Sequence, residues 1–244
     1  MTPVPVGLDA CRAALGPDFV RPFVSRLELM GVDVVRLAEL GTAYSFRVGD
    51  RAVIAVPASG NWFNENFGLA HELAHLSLGH EGITPGGDGV DEAEREANAF
   101  AAELLMPEAA VRAHDWRELP PTSVADLVWQ WGVSTQALAT RLSSLRVPVS
   151  EGVRELLALK TQALLRRHWA GGRHGDPITE RMAAASARHF PEWLQQAHLD
   201  RIAAGTLRKD TLAWMLDVAP ERLEVEEPET PDPLGRADLM DLLG

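Results

Sequence analysis

The chain has 244 residues, 46% of them apolar and 24% charged, with a formal net charge of -12. That length allows one or two domains around a sizeable core. The acidity argues against generic nucleic-acid binding, which needs a basic face for phosphates, and no apolar run is long enough to span a bilayer. Cys11 is the only cysteine, so an intrachain disulfide is ruled out. Met1 to Leu8 lacks the basic-then-apolar order of a secretory signal, and the expectation is a cytoplasmic protein.

Residues 9–31 carry Ala14, Phe19, Phe23, Leu27 and Met30 at helical spacing, with a break at Gly16-Pro17. Tyr44, Phe46 and Val48 then alternate with Ser45 and Arg47. Gly49-Asp50 turns the chain into Ala52–Val56, which predicts a β-hairpin with a buried second strand. That second strand reads equally well as a sheet edge open to an extended peptide or as a plain core strand. After a loop at Pro57–Asn61, Asn64 or Asn66 is a candidate cap for a helix through Leu76. Gly82–Gly89 reads as a Gly/Pro loop. Asp91 is a candidate cap for a further helix that stops at Pro107.

Two short helices flank Gly132-Val133-Ser134 between Val124 and Leu145. The pattern from Val153 to about Leu223 is mostly helical. Between Glu221 and Gly244 eight acids face only Arg222 and Arg236, which predicts a solvated tail. The expected fold class is α+β, a small unit of helices plus a short β-sheet or hairpin followed by a mainly helical C-terminal region. The expected divisions are 1–110 catalytic, 111–150 helix-turn-helix-like, 151–223 helical and 224–244 acidic tail.

His71-Glu72-Leu73-Ala74-His75 is an HExxH motif inside a predicted helix. Positions i and i+4 stack on one helix face, so both imidazoles can reach one cation. Glu72 projects beside them and is the candidate base that takes the proton of the attacking water. A catalytic site of this kind needs a third protein ligand. The HExxHxxGxxH extension would require glycine at 78 and histidine at 81. The chain has Leu78-Gly79-His80-Glu81, so both positions miss by one. A carboxylate from the next helix is the other option, with Asp91, Glu92, Glu94, Glu96 and Glu103 on offer.

Phe67–Leu76 followed by Glu94–Pro107 (EREANAFAAELLMP) resembles the ImmA/IrrE metallopeptidases, which pair an AHELxH-type helix with an ExxANxFAxxLLMP-type helix. The resemblance covers about residues 30–145 and leaves the last hundred without one. It implies that Glu94 is the third ligand, with Ala97 and Phe100 in register. Asn98, four residues on, would share the Glu94 face and orient a ligand from outside the metal shell. Glu96 points elsewhere and reads as a solvated acid. His80 reads as a helix-terminal residue beside Gly79. Two imidazoles and a carboxylate suit Zn2+, with Mn2+ or Fe2+ as alternatives.

Tyr44, the only tyrosine, is a candidate oxyanion donor, against the plainer reading of a strand aromatic packed on the sheet. Histidines 114, 168, 174, 189 and 198 are further candidates between which the sequence does not choose.

Val124–Leu142 reads like a helix-turn-helix, but its second helix offers a DNA groove only Gln136, Arg141 and nearby Arg146, and direct nucleic-acid binding is not expected. Lys160, Arg166, Arg167, His168, Arg173 and His174 form the one basic cluster and read as a solvated face. The resemblance implies an intracellular regulatory endopeptidase that cuts a helix-turn-helix repressor and releases genes for stress response, mobile-element control or phage defence. The alternative is a toxin or partner-binding component of a toxin–antitoxin pair.

Overall fold

The computed structural model describes residues 3–80, 89–171 and 175–226. The expected Gly82–Gly89 loop lies almost wholly outside these, as do Arg173, His174 and the tail beyond Glu226. The chain divides into two compact units, one ending at His189 and one beginning at Phe190.

The first unit is mixed α+β. Helices α1 (Leu8–Leu15) and α2 (Phe23–Leu29) flank the expected break at Gly16. A three-stranded sheet follows, with β1 (Val32–Leu37), β2 (Tyr44–Val48) and β3 (Arg51–Pro57) in the order β1-β3-β2. β3 pairs in parallel with β1, Val32 opposite Ala52, and antiparallel with β2, Tyr44 opposite Ala55. The hairpin is where the sequence puts it, and Ala52–Val56 are all buried. The edge reading of β3 is corrected, because β3 is the central strand. The edge beside the candidate site is β2. Strand β1 itself has no counterpart in the sequence reading. Its partner lies twenty residues downstream, so no local turn announces it.

Val32, Val34, Ala52, Ile54 and Val56 share one sheet face and enter the hydrophobic core. The core is completed by α3 (Trp62–Leu78) and α4 (Val90–Leu105). Helix α3 starts at Asn61, whose side chain accepts from the Asn64 amide, so the cap is Asn61 rather than Asn64 or Asn66. Three asparagines in six residues can each cap. The direction in which the chain leaves β3 selects the first. Likewise α4 is capped by Gly89 without a side-chain bond, and Asp91 stands in its first turn. Ala70 and Ala74 on α3, with Ala97 and Ala101 on α4, are fully buried. Such small residues allow two helices to approach closely.

The remaining helices of this unit are α5 (Glu108–Arg112), α6 (Pro121–Trp131), α7 (Thr135–Ser144), α8 (Glu151–Ala158), α9 (Thr161–His168) and α10 (Pro177–Ser186). α6 and α7 are the helix-turn-helix-like pair. Their turn is not presented outward. Gly132 has φ +60, and a Cβ there would lie 2.4 Å from Val20 Cγ1 and 2.5 Å from Asn66 Nδ2, so only glycine fits. The Asn66 side chain of α3 donates to the Gly132 carbonyl at 2.9 Å. A buried bidentate pair, Arg36 on β1 with Glu65 on α3, ties the sheet to the same helix. The second unit holds α11 (Glu192–Ala203) and α12 (Asp210–Met215), with the Phe190 ring against Trp214 at 5.3 Å.

Candidate metal centre

Helix α3 carries His71 and His75 one turn apart, and α4 brings Glu94 to them. The two Nε2 atoms are 3.1 Å apart. Glu94 Oε2 lies 3.2 Å from His71 Nε2, and Glu94 Oε1 lies 3.4 Å from His75 Nε2. Three donors bound at about 2.0–2.1 Å to a tetrahedral ion sit about 3.3 Å apart, the edge of that tetrahedron. The donors present suit a divalent cation in chemistry, and one ligand atom from each of the three side chains lies within 4.8 Å of the other two. Among the described residues this is where three such side chains converge. Asp91, Glu92, Glu96 and Glu103 do not join them. Both histidines are largely buried, and burial holds His75 below the usual imidazole range, with His71 and His80 acting in the same direction. A neutral imidazole is the form that ligates.

Glu72 turns to the sheet instead of the donor triangle. Ser45 Oγ on β2 donates to Glu72 Oε2 at 2.7 Å. Burial raises the Glu72 carboxyl above the ordinary carboxylate range, while the Ser45 hydrogen bond and His71 oppose it. A carboxylate raised towards neutrality is a better proton acceptor for catalysis. The sequence reading missed Ser45, although its alternation with Tyr44 and Phe46 places it on the opposite face, towards α3.

That same alternation turns Tyr44 the other way. It stands 54% exposed at the rim of the cavity, on the sheet face opposite Ser45. Asn98 also lines the cavity, but its amide donates to the Glu94 backbone carbonyl at 2.7 Å, bracing the helix at the ligand rather than the carboxylate. The cavity is about 830 Å³, and His71, His75 and His80 are the histidines that line it. Downstream, His114 meets the Trp116 and Trp131 rings edge to face, and His189 pairs with Glu28.

Two sequence expectations hold and gain a contact. His80 follows the Gly79 cap, as expected, and its Nδ1 is 3.1 Å from His75 Nδ1. Glu96 is an exposed acid, as expected, and its Oε2 is 3.1 Å from His80 Nε2. Both contacts depend on how the turn after α3 and the start of α4 pack, which helical spacing alone does not give.

Residues 27–143 match the Peptidase_M78 family model, described as the IrrE N-terminal-like domain. This segment belongs to that family. It spans every element from β1 to α7, including the donor triangle, Glu72 and Ser45. Peptidase_M78 is a metallopeptidase family, and a domain of this kind implies a metallopeptidase. No curated protein and no solved structure matches the chain. The M78 segment begins within α2 and closes at α7, so the helix-turn-helix-like pair lies inside it.

Proposed function

We propose that this chain is a zinc-dependent regulatory endopeptidase in which His71, His75 and Glu94 hold the ion and Glu72 is the base. The observation that carries this is the convergence of His71, His75 and Glu94 beside a buried, serine-held carboxylate. Two imidazoles and one carboxylate are the usual donor set of a peptidase zinc, and manganese or iron accept the same set. When bound, the ion polarises the scissile carbonyl and acidifies the attacking water.

Glu72 removes the proton from that water and returns it to the leaving amine. Ser45 fixes the carboxylate for both transfers. The β2 edge offers main-chain donors and acceptors to an extended substrate segment, and the half-buried site below it keeps bulk water back.

The substrate in this reading is a small helix-turn-helix repressor, cut at a limited site. Selectivity is supported by a second cavity of about 660 Å³ that shares Asn64, Phe67 and Asn98 with the cleft and continues between α4 and α7, past Ala102, Met106 and Ala137. Residues of the substrate beyond the scissile bond have an apolar groove to enter. Direct contact with DNA is not part of this reading. Arg141, the basic residue of α7, donates instead to the Met106 carbonyl and the Glu103 carboxylate.

The test is co-expression of the chain, and of its Glu72→Gln variant, with candidate repressors, reading fragments by mass spectrometry. One metal-dependent cut in one repressor, absent with Glu72→Gln, is expected. Broad degradation of unrelated proteins overturns the regulatory reading. Stable binding without a cut, equal for both forms, favours a partner-binding module instead.

A further inference from the structure

The HExxH helix ends in a glycine cap. Gly79 adopts φ 74 and ψ 32, a left-handed cap, and both its N–H and that of His80 point back to the His75 carbonyl. This reversal lays the His80 ring against the His75 ring, with centroids 5.1 Å apart. His80 is then met from α4 by Glu96, two residues beyond Glu94. The same helix thus touches the donor triangle with one carboxylate and its outer side with another.

With a cation on His75 Nε2, the proton positions in this chain of groups follow by elimination. His75 Nε2 belongs to the donor triangle, so it must be free of a proton to bind a cation, and the neutral ring then carries its proton on Nδ1. Only one hydrogen fits between two Nδ1 atoms 3.1 Å apart, so His75 donates and His80 accepts. A neutral His80 that accepts at Nδ1 holds its own proton on Nε2. That is the nitrogen 3.1 Å from Glu96 Oε2, and a carboxylate can only accept. The opposite assignment protonates the ligating nitrogen of His75 and sets a bare His80 nitrogen against a carboxylate. One arrangement satisfies every group.

We infer that His80 and Glu96 are positioning residues that fix the His75 tautomer and ring orientation, presenting Nε2 to the metal. This rests on the metal-site reading above. A hydrogen-bonded partner on the outer nitrogen of a ligating histidine typically contributes 10–100-fold to metal affinity. Here that partner is a second histidine backed by a carboxylate. The feature that failed to fit the longer HExxHxxGxxH pattern, Gly79-His80 one position off, serves the ligand His75 from behind instead of binding the ion.

The experiment uses the full chain with zinc alone as probe. Zinc Kd is measured by chelator competition for the wild type, His80→Ala, His80→Asn and Glu96→Gln. The histidine tautomers are read in the metal-free proteins by nitrogen-15 NMR. His80→Ala is expected to weaken zinc binding about 10–100-fold and to convert His75 from the Nδ1–H form to a mixture. His80→Asn keeps an acceptor for His75 and is expected to recover part of the affinity. Glu96→Gln keeps a neutral acceptor and is expected to lose less than His80→Ala. Unchanged thermal midpoints of the metal-free variants separate positioning from folding. Should His80→Ala retain wild-type Kd and tautomer, this inference falls and the metal site stands. Should wild type bind no zinc, both fall.

Discussion

Two helix pairs in this domain, α3 with α4 and α6 with α7, are each rich in polar side chains, but they use them oppositely. In α3 and α4 the polar atoms converge on a point in an open cavity, and three of them have geometry that an added cation completes. In α6 and α7 they are already matched to protein partners. The Gly132 carbonyl receives Asn66, Thr135 Oγ1 donates to the Leu159 carbonyl at 2.7 Å, and Arg141 is held by Glu103 and Met106. Nothing in those bonds awaits a ligand. A motif found by spacing is therefore a site where its polar atoms converge on an open cavity, and a scaffold where they are spent on holding neighbouring elements together.

This contrast predicts that the first pair can lose chemistry without losing stability. Glu72→Gln is expected to lower kcat by roughly 10²–10⁴-fold, with metal content and thermal midpoint retained, because the amide oxygen still accepts from Ser45. Equal turnover in the variant, measured on any cleaved repressor, breaks the assignment of Glu72 as the base.

The second pair should behave in the reverse sense. Gly132→Ala forces a methyl into Val20 and Asn66 at a backbone conformation that suits glycine. It is expected to cost about 1–3 kcal/mol in urea unfolding. Metal stoichiometry of the folded fraction should not change. Loss of metal with full stability would show that the turn serves the site directly.

The smallest effect is expected at Ser45, where the strand meets the base. The base acts only when deprotonated, so the rate falls as pH drops through the Glu72 pKa, and burial moves that acid limb above the ordinary carboxylate range. The Ser45 hydrogen bond opposes the shift. Ser45→Ala should therefore displace the acid limb of kcat/KM to higher pH. A limb that stays in place or moves to lower pH would remove Ser45 from the reading.

What the sequence made legible was what local spacing encodes. HExxH supplies its own helix face, the Glu94 block carries its own register, and Gly49-Asp50 closes a hairpin between residues already adjacent. What it concealed depends on distant partners. β1 becomes a strand only by pairing in parallel with β3. Ser45 gains meaning only when β2 is laid across α3. His80 and Glu96 meet only because a left-handed Gly79 reverses the chain while α4 docks alongside. Gly132 looks like an ordinary helix-turn glycine until Val20 and Asn66, over sixty residues away, close upon it.

One exposed strand has a further consequence, for how the protein behaves in concentrated solution. Among the described residues β2 pairs with β3 alone, and its outward face carries Tyr44, Phe46 and Val48 at 54%, 44% and 61% exposure. An apolar strand with one row of main-chain groups uncommitted is also a template for a second copy of itself. Arg47, next to last in the strand, is the kind of charge that discourages such stacking. The edge proposed to receive a substrate is thus the same edge along which crowded molecules would adhere, and the length and charge of five residues bear on both.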